Sequence, residues 1–245
     1  MGRLVADVRG VTEAGYTIQG RTVRLPAVVR DASSGTALYL VSATAAQQLV
    51  PPPFQIVEVA PGQAQLVLGF VDYRDNDLGD YYEVMIVFFV RPAGDPAAAE
   101  GTFIYKLPVN QSFTCEAGQR IWGFPKTVER IAIDSTGEIV RCRLEMAGEH
   151  AFTLSLPRLA CDAMPDMEIE MTTYTDHGGP HALAFAQGGA TAINPGGAGV
   201  QLELGTHPLA DELRRLGLPD APLLLSTWVE HMRGSFGAPR RIEKE

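Results

Sequence analysis

Apolar and polar positions along this chain switch in short bursts and seldom recur at helical spacing. Residues 4–8, 16–18 and 23–29 read as short strands separated by Gly and polar turns, and 36–41 as another. Residues 43–49 predict one or two helical turns, stopped by Pro51-Pro52-Pro53. Strands follow at 54–59 and 64–71 around a Pro61-Gly62 turn, then a polar loop at 73–80. Residues 81–90, Tyr-Tyr-Glu-Val-Met-Ile-Val-Phe-Phe-Val, are β-branched and aromatic enough for a strand buried on both faces, with a single carboxylate, Glu83, near its start.

Beyond a looped connection at 92–100, strands are expected at 102–107, 129–134, 139–146, 151–156, 167–174, 181–186 and 201–204. Residues 112–119 suit a short helix and 208–216 an amphipathic one, and 223–232 form a last apolar element. No composition break or internal repeat divides the chain. The rhythm therefore predicts one α+β domain over 1–245, predominantly antiparallel β, its sheet a closed or nearly closed barrel with a few peripheral helices. A β-sandwich is the alternative.

Composition narrows the function. Hydrophobic residues make up 46% and charged residues 20%, which suits a packed core. A net charge of −9 argues against a nucleic-acid partner, which needs a Lys/Arg field. No apolar run reaches the ~20 residues of a membrane span, so no membrane partner is expected. No export signal is visible at the amino terminus, and Ala6 stands where a myristoylation signal wants Ser or Thr. Three dispersed cysteines, Cys115, Cys142 and Cys161, then read as reduced thiols in a cytoplasmic protein.

Chemistry-bearing motifs are few. His177 and His181 flank Gly-Gly-Pro, which cannot be helical, so no metal site is expected there. The Gly-rich 191–199 stretch lacks a nucleotide-cradling pattern, and Ser226 and His231 lack a nucleophile elbow. The chain holds 17 Arg but only 3 Lys, so amine chemistry has two non-terminal candidates, Lys106 and Lys126. Lys126 follows Trp122-Gly123-Phe124-Pro125. Pro125 fixes its own φ and pushes Phe124 toward extended geometry, giving Lys126 a rigid approach. An amine dried by aromatic surface loses proton affinity, and a neutral amine attacks carbonyls to form an imine. A snorkelling surface lysine is the plainer reading of the same residues.

Gly123-Phe124-Pro125-Lys126 resembles the aromatic-Pro-Lys segment of the acetoacetate decarboxylase superfamily. Leu49-Val50-Pro51-Pro52-Pro53-Phe54 and Leu78-Gly79-Asp80-Tyr81-Tyr82-Glu83 resemble two further segments in the same order, and the likeness extends over residues 25–241. It implies a homo-oligomeric, cofactor-independent lyase acting on a small keto acid. In that reading Lys126 is the imine-forming nucleophile and Glu83 the proton shuttle. Trp122 and Phe124 bound the substrate site, and Arg30 holds the substrate carboxylate. The resemblance also leaves open aldol-dehydration or cyclodehydration through the same imine. A barrel that binds a small molecule without turning it over is the reading from another class.

One departure stands out. Acetoacetate decarboxylase has a second lysine directly after the nucleophile, whereas this chain has Thr127. A cation ~6 Å away at an effective dielectric of about 20 is worth on the order of 2–3 kcal/mol, or about two pKa units. Without it, burial against Trp122 and Phe124, or a nearby Arg120 or Arg130, is expected to lower the Lys126 pKa.

Overall fold

The computed structural model describes residues 15–161 and 166–242. The strand expected at 4–8, the amino-terminal features and Lys244 lie outside these residues. A hairpin of β1 (Tyr16–Ile18) and β2 (Arg21–Val23) precedes the long strand β3 (Ala27–Ser42). The sequence pattern breaks β3 into two. The polar stretch between them stays in the sheet because it is partnered there: the Ser34 hydroxyl donates to the Phe70 carbonyl, and Ser33 to Glu230. Bulges between Val29 and Ala32 absorb the irregular spacing. Ser42 then caps α1 (Ala43–Gln47), accepting from the Ala45 amide.

Short β4 (Phe54–Ile56) and β5 (Glu58–Ala60) lead into β6 (Gln63–Asn76), β7 (Tyr81–Pro92) and β8 (Gly101–Val109). The loop expected from residue 73 begins later, since Arg74 and Asp75 pair with Asp31 and Arg30 across the sheet and keep β6 extended to Asn76. α2 (Ser112–Ala117) continues into a π-helical turn, Gly118–Trp122. Four strands follow, β9 (Lys126–Val128), β10 (Arg130–Asp134), β11 (Ile139–Met146) and β12 (Glu149–Pro157). The chain then forms β13 (Asp166–Asp176), β14 (Pro180–Pro195), β15 (Gln201–Leu204), α3 (Pro208–Arg215), β16 (Leu223–Phe236) and β17 (Arg240–Arg241). β14 takes in the first part of the Gly-rich stretch as strand.

Seven strands close on themselves in the order β7-β6-β3-β16-β14-β13-β8, with β8 pairing back to β7. Every contact around this ring is antiparallel except β13 with β8. The barrel expectation holds, and the sandwich is excluded by that closure. A second sheet, β10-β11-β12-β15, covers one outer side of the barrel. Between the two lies the larger core, where Leu66, Leu68, Ile86 and Phe88 meet Leu144, Leu154 and Leu156, all fully buried. Each such side chain contributes about 1.5–3 kcal/mol relative to exposure. A second cluster joins the β1–β2 hairpin to Phe113, Ile121, Trp122 and Phe124.

β7 is buried on both faces, as its composition predicts. Val84, Ile86, Phe88 and Val90 belong to the inter-sheet core. Glu83, Met85, Val87 and Phe89 face the barrel lumen.

Candidate active site

Glu83 stands on β7 and Lys126 opens β9, with β8 between them. Glu83 pairs in register with Val109 of β8, and Lys126 with Leu107 of the same strand. Their side chains meet at the end of the lumen, Lys126 Nζ lying 2.8 Å from Glu83 Oε2, with the side chains 3% and 7% exposed. The ammonium also donates to Thr114 Oγ1 at 3.1 Å, from α2. Tyr73 donates to the other carboxylate oxygen, Glu83 Oε1, at 3.3 Å. The Tyr81 ring lies 5.0 Å from the amine and stacks on Tyr73 with centroids 4.5 Å apart.

Local backbone geometry fixes the lysine. Gly123 ends the π-helical turn with φ 70°, a conformation costly for residues with a Cβ. Pro125 follows, the Lys126 amide donates to the Phe124 carbonyl, and Gln119 holds the Lys126 carbonyl at 2.7 Å. The lysine stem runs directly over Gly118, where an added Cβ would lie 2.5 Å from Lys126 Cδ and 2.8 Å from Cε. Only glycine leaves this passage open.

The electrostatics differ from the sequence expectation. Loss of hydration is the largest single influence on Lys126 and lowers its proton affinity. The Glu83 charge, with the hydrogen bonds to Glu83 and Tyr81, more than offsets it and leaves Lys126 above its ordinary pKa. The buried contact with Glu83 thus favours the protonated form of Lys126. Burial also pushes the phenols up, Tyr81 to about 12. Neither arginine suggested as a cationic neighbour faces the amine. Arg120 turns to Glu116 at the surface, and Arg130 reaches Glu145 with its side chain 83% exposed.

Arg30 also departs from its expected place. It alternates outward from the buried Val29 and pairs with Asp75 at 2.9 Å and Asp77 at 2.7 Å, its side chain 47% exposed. Its fork is occupied by carboxylates outside the barrel, so it does not face the pocket. Trp122 and Phe124 do: they stack at 5.7 Å, and Trp122 Nε1 donates to the Gly237 carbonyl. His177 is exposed, and His181 Nδ1 contacts the Gly179 carbonyl. No cluster of three or more His, Cys, Asp or Glu suited to a metal occurs among the described residues.

Two hollows adjoin here. A small one of about 30 Å³ is lined by Lys126, Tyr81, Trp122 and Leu78. A larger one of about 210 Å³ fills the lumen. Glu83, Ile104, Leu107, Phe124 and Phe236 border both. The ion pair therefore sits at the end of an internal cavity, a place suited to covalent capture of a carbonyl compound.

Tyr81, Tyr73, Thr114 and Gly118 went unread in the sequence. Tyr81 carries a signal, since it lies two residues before Glu83 and period-two alternation puts both on one face. Tyr73 is Tyr81's partner across the β6–β7 ladder, a pairing visible only once the register is known. Thr114 and Gly118 carry no signal of their own.

A family model described as "Acetoacetate decarboxylase (ADC)" matches residues 16–237. Among curated proteins, no significant sequence match is found. Solved structures share the fold. An acetoacetate decarboxylase from Legionella pneumophila subsp. pneumophila str. Philadelphia 1 superposes with a TM-score of 0.61 at 17% identity, over 89% of this chain and 87% of that one. The enduracididine biosynthesis enzyme MppR, complexed with the condensation product of pyruvate and imidazole 4-carboxaldehyde, gives 0.58 at 16%, over 95% and 97%. An acetoacetate decarboxylase-like enzyme from Sphingomonas wittichii RW1 gives 0.54 at 16%, over 91% and 96%.

Proposed function

This chain belongs to the acetoacetate decarboxylase family, and from that premise we propose that it is a Schiff-base-forming lyase with Lys126 as nucleophile and Glu83 as its proton partner. The single observation that carries this reading is the buried 2.8 Å contact between Lys126 Nζ and Glu83 Oε2 at the end of an internal cavity. An ammonium cannot attack. The nucleophile is the minor neutral form, reached when the proton passes along this contact to Glu83, an uphill step because the same carboxylate holds Lys126 above its ordinary pKa.

The amine adds to the carbonyl carbon, and the resulting carbinolamine loses its hydroxyl as water after taking a proton from Glu83. The iminium then draws electrons from the adjacent carbon. In a β-keto acid the bond to the carboxylate breaks, CO2 leaves, and an enamine remains. Protonation of that enamine at carbon and hydrolysis of the imine return the ketone and the free lysine. A carboxylate held in this apolar hollow is poorly solvated, so its conversion to neutral CO2 is favoured. Tyr73 orients Glu83 through Oε1 and leaves Oε2 to the amine.

Aldol-dehydration through the same enamine is a second outcome of this site. What favours keeping it is the likeness to MppR, whose solved complexes hold pyruvate and a pyruvate-derived condensation product.

The test is borohydride reduction in the presence of pyruvate or acetoacetate, followed by peptide mass mapping. A reduced adduct on Lys126 is expected. Absence of an adduct with a panel of ketones, aldehydes and keto acids would remove the mechanism and leave a binding barrel.

A further inference from the structure

The lumen continues well past the ion pair. Glu83 and Phe89, six residues apart on one strand, both border it, a span of about 20 Å at ~3.3 Å per residue. On the flanking strands of the same wall, Val67 pairs with Val87 and Thr102 with Phe89, and all four border the space. The space is therefore elongated along the barrel wall, with the reactive amine at one end.

The chemistry of that wall is uniform. Met85, Val87, Phe89, Ile104, Phe185 and Phe236 supply apolar surface. The hydroxyls that reach it are already engaged by the protein. Ser34 donates to the Phe70 carbonyl at 3.2 Å, Thr36 shares a hydrogen bond with Thr227 at 2.6 Å, and Thr102 with Thr173 at 2.9 Å. Among the described residues lining the cavity there is no Lys, Arg or His, and Arg30 is held outside by Asp75 and Asp77. A charged group deep in the lumen would lose its hydration with no counter-ion in return. Gln187, where the lumen adjoins an outer depression, is the remaining polar group, and it is neutral.

The hollow at the amine is the opposite in size. Its 30 Å³ holds about two water-sized groups. It admits a carbonyl and one small substituent, and the rest of the molecule has to lie in the lumen.

We infer that the substrate is a carbonyl compound with a small group on one side of the carbonyl and an extended, uncharged apolar chain or ring system on the other. Such a compound carries no carboxylate to lose, so the inference favours the aldol-dehydration outcome of the imine reading of Lys126, on which it rests. The carbonyl lies at the Lys126–Glu83 end, and the apolar part runs along Met85, Val87 and Phe89. The lumen selects by length and by absence of remote charge.

A homologous series decides it. Borohydride trapping on Lys126 is measured with methyl ketones from acetone to a ten-carbon chain, and with a ten-carbon keto acid whose carboxylate sits at the far end. The concentration for half-maximal adduct should fall about twofold to fourfold per added methylene, the partition gain of a buried CH2, until the lumen is filled. The far-end carboxylate should forfeit most of that gain. A flat series, or tighter capture of the charged chain, overturns the inference while leaving imine chemistry intact. If no ketone is trapped, the imine reading falls. Calorimetric titration of the unreduced protein with acetone and the ten-carbon ketone then decides the lumen alone: tighter binding of the long ketone supports it and equal or absent binding overturns it. In wild-type background, Val87→Phe should narrow the lumen midway and move the best-captured ketone to a shorter chain, and an unchanged optimum counts against the assignment.

Discussion

On β7, Val84, Ile86, Phe88 and Val90 pack solidly against the second sheet, while Glu83, Met85, Val87 and Phe89, one position out of phase, border open space. Both sets are mainly apolar; the outer set is fully buried, whereas Met85 and Phe89 of the inner set are only partly so. They differ in what they meet. The outer set is locked among side chains from β6, β11 and β12. The inner set meets the lumen, where no protein atom fills the middle. One strand thus serves as structural core on one side and as a candidate substrate wall on the other. Hydrophobicity alone does not separate these roles, because a buried cavity needs the same residue types as a buried core.

Glu83→Gln tests the inner face most severely. Turnover of a trapped ketone or keto acid should fall about 10²–10⁴-fold through loss of the proton partner. The substitution removes the charge that holds Lys126 above its ordinary pKa, while the burial that lowers it remains. The pH at which Lys126 is half-acylated by an amine-directed reagent should therefore move down. For stability the sign is equally definite. A lysine whose folded pKa is raised stabilises the fold fully below its unfolded value, ~10.4, and that contribution is lost as pH rises through the folded value. Urea titrations above pH ~10 should show this alkaline loss in the native protein and a weaker one in Glu83→Gln. Unchanged acylation pH would break the proposed coupling.

The outer face is tested by Phe88→Ala. The side chain is fully buried, and its removal should cost about 3–5 kcal/mol in equilibrium urea denaturation, as large aromatic deletions from packed cores do. Its lumen counterpart, Met85→Ala, borders a hollow that already exists, so little new cavity is made and about 1 kcal/mol is expected. Equal costs for the two would show that the lumen is collapsed in solution and would remove the contrast between the faces.

Much of the site was legible because its signals are local. Phe124-Pro125-Lys126 constrains its own backbone, and Tyr81-Tyr82-Glu83 announces a strand that buries a carboxylate. Arg30 was misplaced because its role was carried over by resemblance, and its direction depends on alternation with Val29 and on Asp75 and Asp77 of the neighbouring strand. Tyr73 was hidden in a segment that reads as a loop, since charged residues look solvated until their partners across the sheet are known. The Lys126 pKa was expected to fall because only its apolar neighbours are adjacent in sequence. Glu83, whose charge reverses the direction, is brought there by two strand pairings.

Sequence alone determined the strand rhythm, the two-faced burial of residues 81–90, the scarcity of amines and the rigid approach to Lys126. These follow from backbone sterics and side-chain alternation, which act over a few residues. Only closure of the barrel decided that the amine is buried, that its partner is a carboxylate, that Arg30 lies outside, and that the lumen beyond Glu83 is long and lined by uncharged side chains. Burial, ion pairing and empty volume are relations among groups distant in the chain, and they have no value until the ring of strands brings those groups to fixed separations.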